Sequence, residues 1–133
     1  MKNKEKMIKE FLNYPLHTSI DASQVERLVA QIHYPDTDLW DGDLSERIWL
    51  FQTYQLVYLS PTSIEDYRDY HIDSDRVEDF ASLSFETMPP IIVHPCENQP
   101  DSFQIVDGCH RIQTVINQGY PKILALVGYE KCK

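Results

Sequence analysis

Basic residues are scarce in this chain. It has 12 lysines and arginines against 21 aspartates and glutamates, which gives a formal net charge of −9. Non-specific binding to nucleic acid depends on neutralising many phosphates, so this balance argues against a DNA-binding protein. The charge leaves room for a small basic pocket that binds a single nucleotide. DNA is therefore not expected as a partner.

Cysteines and long apolar runs are also few. The spacing of Cys96, Cys109 and Cys132 fits neither a metal site nor a disulfide framework. No grouping of His, Asp and Glu at ligand spacing predicts a dedicated metal site. No apolar run is long enough to cross a bilayer, and the charged N-terminus lacks the apolar stretch of a signal peptide. We therefore expect a cytoplasmic protein with free thiols and no membrane partner.

Helical and strand-like patterns interleave along the 133 residues. Apolar stripes and capping residues predict helices within 2–13, 22–32, 43–53 and 73–81. Segments rich in β-branched and aromatic residues predict strands at 55–60, 88–94, 103–106 and 122–127. The last of these is apolar throughout and should be central. This order predicts an α/β (α+β) fold, a small mixed β-sheet with packed helices.

The predicted helices of the first 54 residues stand apart from the strands. We interpret residues 1–54 as a helical N-terminal extension and residues 55–133 as the main domain. Asp21 is positioned to cap the helix at 22–32, with Gln24 three residues later and Ile20 available to pack on Val25. The apolar faces of the extension would either pack back on the sheet or bind a partner.

The stretch 101–119 organises the rest of the chain. It predicts a strand at 103–106, a tight turn at Asp107 and Gly108, and a helix from residue 109 to Gly119. The start of a helix presents backbone N–H groups and a partial positive charge, which favour an anion such as phosphate. Gly108 allows close approach of the backbone, and His110 and Arg111 can add side-chain donors. The pattern predicts a phosphate-binding turn.

The same residues resemble a known family. Asp-Gly-Cys-His-Arg at 107–111 follows Met-Pro-Pro-Ile-Ile-Val at 88–93 and precedes Gly-Tyr-Pro-Lys-Ile-Leu-Ala-Leu-Val at 119–127. Together these segments resemble the ParB/sulfiredoxin-type domain over roughly residues 55–130. Sulfiredoxins carry Gly-Cys-His-Arg at this turn, and related free-serine kinases carry Asp-Gly-His-His-Arg. This chain mixes the two, with a kinase-like Asp107 and a sulfiredoxin-like Cys109.

The resemblance implies a nucleotide site, with ATP and Mg²⁺ as cofactors, although no residue selects the base and ADP or CTP stays open. The residues that it assigns to nucleotide binding are Gly108, Cys109, His110, Arg111, Arg76 and Arg68. Arg76 stands where a sulfiredoxin lysine contacts the nucleotide, and its alternative is a surface charge paired with Glu78 or Asp79. The alternative for His110 and Arg111 is that they are solvated residues of a first helical turn.

Three residues are candidates for catalysis. Asp107 would hold Mg²⁺ or accept a proton, or it would only cap the helix. The helix start and its basic neighbours should lower the pKa of Cys109 and favour its thiolate, which could attack a phosphorylated sulfinate. The alternative is that this cysteine merely replaces a histidine of related domains. Glu65 lies near the position of a catalytic glutamate in the serine kinases, or it is a solvated loop residue.

These assignments favour an ATP-dependent enzyme that transfers a phosphoryl group to a small-molecule or protein acceptor. A non-catalytic, DNA-associated or regulatory module of the ParB type is one alternative. A sulfiredoxin-like thiol oxidoreductase that uses Cys109 is another, and a nuclease has the least support from the residues.

Overall fold

The protein folds around a five-stranded mixed sheet flanked by helices. The computed structural model describes residues 16–32, 46–64, 72, 74–81, 90–97 and 99–131. The strands are β1 (Ser19–Asp21), β2 (Phe51–Leu59), β3 (Ile91–Cys96), β4 (Gln99–Asp107) and β5 (Ile123–Lys131). The helices are α1 (Ala22–Ile32), α2 (Ser74–Ala81) and α3 (Cys109–Asn117), and a short 3₁₀ turn covers Pro61–Ser63. The predicted α+β class is confirmed.

The strand order across the sheet is β1-β2-β5-β3-β4. β5 pairs with β2 antiparallel and with β3 parallel, while β3 pairs with β4 antiparallel. The third position of five places β5 at the centre, as its uninterrupted apolar sequence predicts. Because β3 and β5 run in the same direction, the chain must cross over between them, and α3 lies in that connection.

Side chains of alternate strand residues build a separate hydrophobic core on each face of the sheet. On one face, Val25 and Leu28 of α1 pack with Leu56 and Leu126. On the other face, the apolar residues of α3 pack with the opposite set of strand residues, which includes Val57, Ile91, Val93, Ala125 and Val127. The sheet is therefore covered on both sides, and α3 is fixed on the second face.

The N-terminal segment takes part in the sheet. The helix predicted at 22–32 is confirmed as α1, and its apolar stripe packs back on the sheet. Ile20, which we expected to pack on Val25, belongs to the same hydrophobic core as Val25. It also lies in the edge strand β1, where it pairs with Tyr54. Sequence reasoning missed β1, because three residues are too short to show a strand pattern. The helix predicted within 2–13 lies outside the described residues.

The predicted boundary between the third helix and the first main strand is wrong. Among the described residues of this region, helical structure covers 46–48, and β2 begins at Phe51 rather than at Gln55. Pairing with β5 runs from Phe51, opposite Lys131, to Leu59, opposite Ile123. This long ladder overrides the local helical pattern, and it crosses the expected boundary between residues 54 and 55.

No helix in the described parts of the chain is both long and apolar enough to span a membrane.

The cap of α1 gives a first testable prediction. Asp21 Oδ1 accepts a hydrogen bond from the backbone N–H of Gln24 at 3.0 Å, and it also accepts one from the Ser23 hydroxyl. The Ser23 hydroxyl and the Gln24 N–H hold the pKa of the Asp21 carboxyl below its usual value of 3.8. The stability from these bonds is therefore present above that pH and lost as the pH falls through the lowered pKa.

We expect Asp21→Ala to lower the Tm at pH 7, and the difference from wild type to shrink below pH 4. Differential scanning calorimetry between pH 2 and pH 7 measures both effects. Asp21→Asn is the matched control, because it keeps the oxygen acceptor without a titratable group. A difference between wild type and Asp21→Ala that is independent of pH would contradict the assignment.

Candidate functional site

The predicted strand–turn–helix is present at the C-terminal end of β4. Asp107 is the last residue of β4, and α3 begins two residues later at Cys109. Gly108 joins them with a φ of 121°, a backbone conformation that residues with a Cβ rarely adopt. The turn predicted at Asp107 and Gly108 is therefore confirmed, and it connects the end of β4 directly to the start of α3.

Gly108 is also required by packing. An added Cβ would lie 2.5 Å from Ile91 Cγ2 and 3.1 Å from Arg111 Nη2. We expected this glycine to let the backbone approach a ligand, but the groups that approach it in the structure belong to the protein itself. The glycine is thus needed for folding of the turn whether or not a ligand binds there.

The far end of α3 is fixed by a second glycine, as predicted. Gly119 has a φ of 75°, and its N–H donates to the carbonyl of Ile116 at 3.0 Å. The N–H of Tyr120 donates to the carbonyl of Val115 at 3.1 Å. These two bonds form a Schellman motif, which ends the helix at the predicted position.

The start of α3 has the polarity of an anion site. The first backbone bond of the helix runs from the Ile112 N–H to the carbonyl of Gly108 at 3.0 Å. The N–H groups of the three preceding residues, 109–111, point toward the helix start and cannot bond within the helix. Together with the helix dipole they give this end a partial positive charge.

Arg111 is held by the protein's own oxygen atoms. Its Nη2 donates to Asp107 Oδ2 at 3.0 Å, and its Nη1 donates to the carbonyl of Pro90 at 2.7 Å. Both side chains of the ion pair have no exposed surface. In this conformation Asp107 pairs with Arg111, a contact that differs from the expected roles of the two residues toward Mg²⁺ and phosphate. Those roles stay predictions.

Cys109 and His110 lie together at the first turn of α3. Cys109 is 8% exposed and His110 is 1% exposed, so neither is a solvated surface residue. The sulfur of Cys109 lies 3.5 Å from His110 Nδ1. The alternative in which His110 and Arg111 are solvated residues of the first turn is therefore wrong, because both residues are almost fully buried.

α2 runs parallel to α3 and is in register with it. The Thr114 hydroxyl lies 2.8 Å from the carbonyl oxygen of His110 and 3.3 Å from that of Val77, and Gln118 Nε2 donates to the carbonyl of Ala81 at 3.3 Å. Both contacts between the helices join residues 37 positions apart in the sequence. The two helices therefore begin at the same end of the domain, which brings two helix N-termini to one side.

The remaining predicted residues are located only in part. Arg76 lies on α2, one residue before Val77, and this puts its backbone near the start of that helix. Glu65 and Arg68 lie outside the described residues. In the part of the chain that the structure describes, no group of three or more His, Cys, Asp or Glu side chains could hold a metal ion.

Sequence reasoning missed three residues that shape the turn. The carbonyl of Pro90 accepts a bond from Arg111, Ile91 packs against Gly108, and Thr114 bonds between the helices. The spacing of Asp107 and Arg111, four residues apart with opposite charges, was a signal for their pairing. No pattern in the sequence connects Arg111 with Pro90, which lies 21 residues earlier.

Comparison with known proteins adds family information to this geometry. The crystal structure of sulfiredoxin from Arabidopsis thaliana is similar to this chain, with 21% sequence identity and a TM-score of 0.43. The similar region covers 55% of this chain and 83% of the sulfiredoxin chain. No curated protein matches the sequence significantly. The family model of the ParB N-terminal domain matches residues 45–131, more than half of the sequence, and the chain therefore belongs to the ParB N-terminal domain family.

Proposed function

We propose that this domain binds a nucleotide, ATP with Mg²⁺, at the start of α3 and acts as a phosphotransferase. The observation that carries the proposal is the turn itself, a glycine with a φ of 121° followed directly by a helix whose first three N–H groups cannot bond within it. The parallel start of α2 supports the same location, because it adds a second helix dipole of the same sign.

The donor groups at this turn are of the kind that binds a polyphosphate. Backbone N–H groups bind phosphate oxygens without a charged side chain, so the proposal does not depend on Arg111 leaving Asp107. A basic surface is not required for one nucleotide, which makes the net charge of −9 compatible with the site. Mg²⁺ binds mainly to phosphate oxygens and water with one or two carboxylates, so it needs no cluster of acidic residues.

When bound, Mg²⁺-ATP would supply a γ-phosphoryl group for an acceptor hydroxyl. The acceptor oxygen would bond to phosphorus as the bond to the departing ADP breaks, and a carboxylate of the protein would take the hydroxyl proton. Glu65 is the carboxylate that we assign to this role, since Asp107 pairs with Arg111. The start of α3 would hold the phosphates in place and stabilise the charge that develops on them.

A thermal-shift titration tests nucleotide binding. We expect ATP with Mg²⁺ to stabilise the wild-type protein by about 2.7 kcal/mol at a concentration 100 times its Kd. Parallel titrations with ADP, CTP and GTP establish which base and how many phosphates matter. Conversion of ATP to ADP that depends on an added acceptor would then support phosphoryl transfer.

Cys109→Asp is the variant that tests the location. An Asp at the first position of α3 suits the helix dipole but adds a negative charge to the proposed phosphate site, so we expect ATP binding to be lost. Because residue 109 is buried in the core, ATP binding is compared only after circular dichroism and the Tm show that the variant is folded. Asn117→Asp adds the same charge at the other end of α3 and keeps the oxygen that accepts a bond from Gln113 Nε2, so it should bind ATP like wild type. Failure of every nucleotide to stabilise wild type would overturn the proposal.

A second candidate function is thiol chemistry at Cys109, supported by the 3.5 Å distance between its sulfur and His110 Nδ1. Cys109→Ser distinguishes the two functions. Loss of an ATP-dependent activity in this variant would favour a sulfiredoxin-like reaction, whereas an unchanged activity would favour phosphoryl transfer. Retention of wild type on a DNA column at physiological salt would instead favour a DNA-associated module.

A further inference from the structure

We propose that Arg111 is a positioning residue, which fixes the nucleotide-binding turn from inside the protein and does not itself contact phosphate. The inference rests on the proposed function, since it assigns the role of one residue within that site. Arg111, Asp107 and the carbonyl of Pro90 form what we call the Arg111 clamp.

The contacts of the clamp join three elements of the fold. Pro90 directly precedes β3, Asp107 ends β4, and Arg111 lies in the first turn of α3. One guanidinium group bonds to both of the other residues, at 2.7 Å and 3.0 Å. The start of α3 is thereby tied to the ends of two neighbouring strands, so the position of its N–H groups depends on this guanidinium.

The guanidinium also packs against the glycine turn. Its Nη2 lies 3.1 Å from the position that a Cβ on Gly108 would occupy, and Ile91 closes the same space from β3. Arg111 is the largest fully buried side chain in the described part of the protein. A side chain in that position supports the turn from the protein interior.

Because the Arg111 side chain has no exposed surface, it would have to move to reach a phosphate at the start of α3, and it would then give up these bonds. The Asp107 side chain has no exposed surface, and its carboxylate would lose the charge of its partner while buried. The carbonyl of Pro90, in a buried residue, would lose its guanidinium donor as well. Phosphate binds to backbone N–H groups at a helix start without the breaking of a buried ion pair, and this difference favours the positioning role.

Binding measurements on Asp107→Asn separate the two roles by the sign of the effect. If Arg111 were a phosphate ligand held back by Asp107, this variant would free the guanidinium and remove a negative charge, so ATP would bind more tightly. If Arg111 positions the turn, the variant weakens the clamp and we expect the Kd for Mg²⁺-ATP to rise at least 10-fold. The Kd is measured by isothermal titration calorimetry.

Arg111→Lys keeps the positive charge but cannot bond to both acceptors with a fixed planar group. We expect a similar rise in Kd, and the double variant Asp107→Asn/Arg111→Lys should bind no more weakly than the weaker single variant, because the residues act as a unit. Leu28→Ala is the control, since it weakens the core on the opposite face of the sheet. The Kd of Leu28→Ala for Mg²⁺-ATP should stay within 2-fold of the wild-type value when both proteins are measured at the same temperature, below the Tm of each.

Hydrogen exchange provides a readout that does not need a ligand. The exchange rate of the Ile112 amide, which bonds to Gly108, is divided by that of the Leu126 amide in β5. We expect this ratio to be at least 10-fold higher in Asp107→Asn than in wild type. Tighter ATP binding in Asp107→Asn, or an unchanged Kd with unchanged exchange at Ile112, would overturn the clamp. Faster exchange in a protein that binds no nucleotide would uphold the clamp as support of the turn and overturn only the proposed function.

Discussion

Gly108→Ala should lower the free energy of unfolding by about 2–6 kcal/mol, the sum of a conformational cost and a packing cost. The backbone at this position has a φ of 121°, and forcing a residue with a Cβ into such a conformation costs about 1–3 kcal/mol. The new Cβ would also lie 2.5 Å from Ile91 Cγ2, and overpacking of this kind costs about 1–3 kcal/mol more. The sum is a large part of the roughly 5–15 kcal/mol that stabilises a typical domain.

Urea denaturation followed by circular dichroism measures this loss, and Gly119→Ala is the matched control. Gly119 also has a positive φ, of 75°, but an added Cβ there meets no atom within 4 Å. We expect that variant to lose only the conformational term, about 1–2 kcal/mol. The difference between the two variants isolates the contact with Ile91. Equal losses at the two positions would contradict the close packing of the turn.

Arg111→Ala should destabilise the protein by about 3–5 kcal/mol, the usual cost of removing one partner from a buried ion pair. The side chains of Arg111 and Asp107 have no exposed surface, so the variant would leave the Asp107 carboxylate buried without its cation. A surface arginine would behave differently, because exposed ion pairs contribute little. Measurement of the free energy of unfolding in urea distinguishes the two situations.

The double variant Asp107→Leu/Arg111→Met is the control for this prediction. It removes both charges and retains apolar volume, so we expect it to be more stable than Arg111→Ala alone. Its remaining defect is the carbonyl of Pro90, which loses a donor at a cost of about 1–3 kcal/mol. If Arg111→Ala changed the stability by less than about 1 kcal/mol, the buried ion pair would not be part of the folded protein in solution.

The two variants also bear on the site. Gly108 and Arg111 were both chosen from the sequence as ligand-binding residues, and the structure gives each of them a partner within the protein. Loss of activity in either variant is therefore ambiguous unless stability is measured beside it. The same applies to Cys109→Asp, which changes the charge of the proposed site, and to Asp107→Asn, which weakens the support of its turn, because both residues are buried.

Local patterns predicted the turn well. Local contacts, within about one helical turn, form the apolar face of α3 and the glycine turns before and after it. Their structure could therefore be predicted from neighbouring residues in the sequence. The same holds for α1 and its Asp21 cap. The prediction failed at β2, where Phe51 and Thr53 belong to the strand because β5 extends far enough to pair with them.

Patterns in the sequence were enough to predict the α+β class and the order of strand, glycine turn and helix at 103–119. They also placed Asp107, Cys109, His110 and Arg111 together at one helix start. The contacts of Arg111 with the carbonyl of Pro90 and with the buried Asp107 are visible only in the folded protein. The physical reason is that caps and helical stripes depend on near neighbours in the chain. The partners of a long buried side chain depend instead on which strands meet in the sheet, and that is decided only when the whole chain folds.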